Sequence, residues 1–172
     1  MLWPLSIAER WISMTTSRSA LTPTNQTMIL EQSGALAPAN EPWTLIRDAI
    51  HDLTLQEKQK GVRIEMSDWH FPHDGVCHQC LAGAVMSRRL GVDTNDNKFP
   101  FDFPKDVAAR LRALDHLRYG SIVFAYRKLE LVRPAELPFD VTVPDYHRGP
   151  AAFKSAMLKL ADLLESAQPT KP

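Results

Sequence analysis

Cysteine is scarce in this chain of 172 residues, which holds only Cys77 and Cys80. So close a pair cannot staple a fold of this size, so the core must be hydrophobic, and the usage suits a reducing compartment. Glycine is sparse and scattered: Gly34, Gly61, Gly75, Gly83, Gly91, Gly120 and Gly149 each stand alone. No G-x-G-x-x-G or P-loop can be drawn from them, which excludes the usual backbone cradle for phosphates. Neither G-x-S-x-G nor H-E-x-x-H occurs, and no short motif pairs two carboxylates. The longest apolar runs, around Cys80–Met86 and Ile122–Tyr126, fall far short of the roughly 18 residues of a membrane-spanning helix. Net charge is missing too, with 20 Lys+Arg against 20 Asp+Glu. That excludes bulk coating of nucleic acid or of a membrane surface. Met1–Ile7 is apolar, but Pro4 interrupts it and no basic region precedes it. It makes a poor signal peptide, and a cytoplasmic protein is the expectation.

What is present is an ordinary globular composition, 44% hydrophobic and 23% charged. Residues 1–40 read as a Ser/Thr/Pro-rich flexible leader without periodicity, residues 41–168 as one globular domain, and 169–172 as a tail. From Asn40 the pattern turns helical. Asn40 can cap a helix whose first turn takes Pro42 and whose stripe is Trp43, Ile46, Ile50 and Leu53, with Gly61 as its stop. Val62, Ile64 and Met66 alternate as a short strand. Ser67–Gly75 reads as a loop, and a helix is expected from Val76 or Cys77 through Leu90. Its Gly83, between two alanines, suggests a close approach by a neighbouring backbone. Further helices follow after Pro104 (Val107, Ala108, Leu111, Leu114, Leu117), after Gly120 (Ile122, Ala125, Tyr126, Leu129) and after Pro150 (Phe153, Met157, Leu160, Leu164). Phe139, Val141 and Val143 alternate and suit pairing with the Val62 strand. The fold class expected is therefore mainly α, about five helices with at most a small two-stranded β-ribbon.

The densest chemistry lies between Asp68 and Cys80, where three of the six histidines and both cysteines gather. Three readings compete. His70, His73, Cys77 and Cys80 form a two-His, two-Cys set that tetrahedral zinc accepts, although its span is short for a structural site. Cys77-x-x-Cys80 opening a helix also suits thiol redox chemistry, with His78 beside it, although the surrounding pattern lacks a βαβ setting. The third reading is structural: Cys80 packs on the face of Ala84, and Trp69 and Phe71 anchor a loop on the core. No cofactor is expected under this reading, and zinc only under the first.

Charge is unevenly spread. Residues 41–80 carry seven acids against four bases, whereas residues 105–133 carry seven bases against three acids. The basic middle holds Arg110, Arg112, Arg118 and Arg127 with Tyr119 and Tyr126 nearby, a combination that suits phosphates or stacked bases. Together with Trp69, His70 and His73 these form the candidate ligand-binding set.

The Asp68-Trp69-His70 stretch, the run Cys77-His78-Gln79-Cys80-Leu81-Ala82-Gly83-Ala84-Val85-Met86 and the Pro144-Asp145-Tyr146-His147 turn before Phe153 resemble small proteins of tailed bacteriophages and prophages. The resemblance covers about Trp43 to Ala167 and brings no established activity or catalytic residue. It implies a host bacterial cytoplasm as the setting. The expectation that follows is a non-enzymatic binding module for a host or phage protein or a small anionic, nucleotide-like ligand. The alternative is a small zinc-binding or thiol-redox protein centred on His70, His73, Cys77 and Cys80.

Overall fold

The computed structural model describes residues 41–134, 137 and 141–168. The expected leader over 1–40, the tail, the Asn40 cap and Phe139 lie outside the described residues. Helix α1 (Pro42–Gln56) starts on Pro42, whose missing N–H costs nothing at the first helical position, with Glu41 in the capping place. Its stripe Trp43, Ile46, Ile50 and Leu53 is buried. Gly61 then turns the chain at φ +80°, a conformation that a side chain disfavours.

Three short strands follow: β1 (Val62–Ile64), β2 (His70–His73) and β3 (Val76–Gln79). They form one mixed sheet in the order β1-β3-β2. β3 runs parallel to β1, with Val62 opposite Cys77 and Ile64 opposite Gln79. It runs antiparallel to β2, with His70 opposite Gln79 and Pro72 opposite Cys77. The β2–β3 hairpin turns on Asp74 and Gly75, at φ 49° and 74°. Positive φ at both central residues is what a type I′ two-residue hairpin turn requires, and Asp-Gly supplies it.

Helix α2 (Leu81–Arg89) begins after Cys80, which occupies its N-cap. α3 (Lys105–Arg118) opens after Pro104, α4 (Ile122–Lys128) follows Gly120, and α5 (Pro150–Ser166) closes the described chain. α1 packs against α5, α2 and α3, while α2 also covers β2 and β3. The inward residues Leu111, Leu114, Leu117, Met157, Leu160 and Leu164 are fully buried and join α1 in one hydrophobic cluster. Gly83 has the expected role: a Cβ there would lie 1.8 Å from the Trp69 carbonyl oxygen. Among the described residues no helix is long and apolar enough to cross a membrane.

The mainly α expectation is corrected: the three-stranded mixed sheet makes this an α+β fold. Residues 67–75 are not all loop, since β2 lies within them, and the expected helix from Val76 begins only at Leu81. Residues 76–79 run as a strand because the Asp74-Gly75 turn folds them back onto β2, giving their backbone groups ladder partners. Val141 and Val143 belong to no strand, and the edge of β1 is taken by β3 instead.

Candidate functional site

The alternation of β2 and β3 decides how the His/Cys cluster is divided. Successive strand residues point to opposite faces. His70, Cys77 and Gln79 therefore share the face covered by α2, and His70 and Gln79 are fully buried there. Phe71, His73 and His78 occupy the other face, where the His73 ring lies 6.1 Å from Phe71 and 6.2 Å from His78, centroid to centroid.

On the covered face the polar groups bond to one another, except that Gln79 Oε1 has no hydrogen-bond partner among the described residues. His70 Nδ1 donates to the Asp96 carbonyl at 2.8 Å. A carbonyl only accepts, so Nδ1 carries the proton and Nε2 keeps its lone pair. That lone pair faces the Ser87 hydroxyl at 2.9 Å. The Gln79 amide donates to Ser87 Oγ at 2.8 Å and to Cys77 Sγ at 3.2 Å. Lys98 N–H donates to the His70 carbonyl at 3.0 Å, which ties the loop after α2 to the start of β2. Desolvation lowers the His70 pKa from its ordinary value, keeping the imidazole neutral.

The four residues of the two-His, two-Cys set are not gathered. His70 and Cys77 approach within 3.6 Å, but His73 points to the opposite, exposed face and Cys80 turns toward the Trp69 carbonyl at 3.8 Å. Among the described residues no group of three or more His, Cys, Asp and Glu side chains is placed to hold a metal ion. The thiols are poor nucleophiles. Desolvation raises Cys77 and pushes Cys80 up to about 11, outweighing the N-terminus of α2 that would otherwise favour a thiolate.

The basic helices divide in a similar way. Arg110 sits 3.5 Å from Asp106 in a 420 Å³ groove that also holds Lys105, Lys128 and Glu130. Arg118 bonds Asp115 at 2.8 Å and stacks on Tyr119, 4.1 Å from the ring centroid. These two line a different cleft, of 350 Å³, with Glu65, Tyr146 and His147. Half-buried Trp69 meets Arg118 only in a 90 Å³ crevice with Asp68 and Asp115. Arg112 and Arg127 are exposed, but Tyr126 is buried and serves the core, so it offers no stacking surface. Phe71, expected as an anchor, is instead exposed.

Two features went unread in the sequence. One is Ser87, whose partners lie eight and seventeen residues away. The other is the outer face of α4. Ile122, Ala125, Tyr126 and Leu129 take the inward positions, leaving Val123 and Phe124 outside, 47% and 53% exposed. That surplus of apolar residues over one helical stripe was the available signal. Phe124 stacks on His116 at 5.5 Å, and a 180 Å³ pocket opens beside Val123 and Phe124 over Ile122 and Leu137. No family model, curated protein or solved structure matches the chain, so its function is argued from these geometries alone.

Proposed function

We propose that this chain is a binding module whose α3–α4 corner docks onto an acidic protein surface, of host or phage origin, that offers an apolar anchor. The observation that carries the reading is the outward face of α4. Val123, Phe124 and Arg127 lie on adjoining helical positions, all exposed. Aromatic and Arg side chains around a small pocket are the composition of interface hot spots. The 180 Å³ pocket suits a single apolar side chain of the partner. Exposed Arg112 and Arg127 flank the patch, so a negative rim on the partner would steer the encounter. A small anionic ligand is the second reading, favoured by Lys105, Arg110 and Lys128 converging on the groove at the start of α3.

The test is affinity capture from phage-infected bacterial lysate with the wild type, Phe124→Glu and Arg127→Glu. A specific partner should be retained by the wild type and held at least ~30-fold more weakly by Phe124→Glu, the size of one hot-spot loss. Thermal stability should stay unchanged. A partner whose capture ignores both substitutions, or the lack of any retained protein, refutes the docking reading. Saturable binding of a nucleotide lost in Lys105→Ala would favour the second.

A further inference from the structure

The polar cluster behind the sheet reaches solvent through Ser87. This residue lies half-buried on the last turn of α2, in the wall of a 330 Å³ cleft lined also by Gln56, Gln59, Arg88, Asp93 and Thr94. We propose that Ser87 and His70 form a nucleophile–base pair, and that the cleft admits a small polar ester with an anionic end, whose acyl group passes to Ser87 and then to water.

The arrangement has the three parts that activate a serine. The hydroxyl is 2.9 Å from His70 Nε2, the lone-pair nitrogen. The imidazole is oriented through Nδ1 by the Asp96 carbonyl at 2.8 Å, the place a carboxylate or amide takes in other nucleophile–base sets. Gln79 is a positioning residue: its amide donates to Ser87 Oγ at 2.8 Å and stabilises the oxygen as the proton leaves. Gln56 is 2% exposed, and its Oε1 has no hydrogen-bond partner among the described residues. A buried acceptor left unpaired is costly, and a ligand hydroxyl or N–H would satisfy it once the amide turns toward the cleft that Gln56 lines. The Asp93 carboxylate is already occupied by the Asn95 backbone and side chain, both at 2.8 Å. Arg88 is exposed at the rim and supplies the positive charge there.

In the first step Ser87 Oγ bonds to the ester carbonyl carbon while its proton passes to His70 Nε2. The carbon–alkoxide bond breaks, and the leaving oxygen takes that proton, giving an alcohol and an acyl ester on Ser87. Water then attacks the same carbon and gives a proton to Nε2. Collapse releases the carboxylic acid, and the proton returns to Ser87 Oγ. No oxidant, reductant or metal is required.

The test uses the full chain and a fluorophosphonate probe, which phosphonylates an activated serine with loss of fluoride. One adduct per chain is expected, mapped to the Ser87 peptide, absent from Ser87→Ala and from urea-unfolded wild type. His70→Asn should slow labelling about a hundredfold or more, the usual worth of a general base. If that variant does not fold, the Ser87→Ala and unfolded-chain arms still decide. An unlabelled folded wild type, an adduct retained by Ser87→Ala, labelling that survives unfolding, or an unchanged rate in folded His70→Asn overturns the proposal. The α3–α4 corner plays no part in this reaction, so neither result bears on docking.

Discussion

Replacing Gly83 by Ala measures how tightly α2 is pressed against the start of the sheet. In an isolated helix the change would stabilise by about 1 kcal/mol. Here the added Cβ would fall 1.8 Å from the Trp69 carbonyl oxygen and 3.1 Å from Gln79 Cβ, where real Cβ contacts essentially never fall below 3.0 Å. The helix and the Trp69 backbone must therefore separate by about 1.2 Å, the difference of those two distances. Neither side yields easily. The oxygen is backbone, and the next residue, His70, is held by Asp96 and Ser87. Gln79 is pinned by its own bonds to Ser87 and Cys77. Overpacking of this kind costs ~1–3 kcal/mol, and more when backbone has to shift. Because backbone has to shift here, the gross cost is taken as ~3–4 kcal/mol, and the propensity gain of about 1 kcal/mol reduces the net loss expected for Gly83→Ala to ~2–3 kcal/mol. For a domain of this size that is a fall in Tm on the order of 10 °C. Urea and thermal unfolding followed by far-UV circular dichroism would measure it. A variant as stable as the wild type, or more stable, would show that Trp69 does not lie over Gly83 and would refute the α2–sheet packing.

Two further expectations concern charge. His70 has its pKa lowered from 6.5 by burial, so below about pH 6.5 the unfolded chain binds a proton that the folded chain refuses. Stability should fall as pH drops through that region, by up to about 1.4 kcal/mol per pH unit. His116, also lowered by burial, acts in the same direction. Urea titrations of His116→Gln between about pH 7 and 5 should therefore keep most of the fall, and a flat profile would contradict a neutral buried His70. Arg89 donates to Asp52 at 2.6 Å and to Asp48 at 2.9 Å, and burial holds the Asp52 pKa above its ordinary value despite that bond. Arg89→Ala strands a buried carboxylate and should cost ~3 kcal/mol. Arg47→Ala, which removes exposed bonds to Asp162 and Glu165, should cost under ~1 kcal/mol. Equal losses in chemical denaturation would mean that Asp52 is not buried as described.

The helices were legible because their information is local. Trp43, Ile46, Ile50 and Leu53, or Phe153, Met157, Leu160 and Leu164, carry the period of a helix in the chain itself, and each set is buried. Gly83 was legible for a similar reason: a helix accepts the loss of an alanine methyl where another backbone needs the space. The hairpin was missed although its strongest local mark, Asp74-Gly75, was present. The flanking strands carry His, Pro, Cys and Gln instead of alternating aliphatics, so period two was masked. That one misreading changed the chemistry inferred. Spacings of three keep His70 and His73 on one side of a helix or close in a loop, whereas a strand sends them to opposite faces.

The sequence by itself determined the amphipathic helices, the scarcity of cysteine and the uneven charge, because propensity, composition and periodicity are written in neighbouring residues. Only the tertiary structure decided which side chains meet. Ser87 and His70 are seventeen residues apart and come within bonding distance because α2 folds back over β2 and β3. Val123 and Phe124 are exposed because the core had room for only one face of α4. Contacts across such separations follow from chain reversal and packing, which no local pattern records.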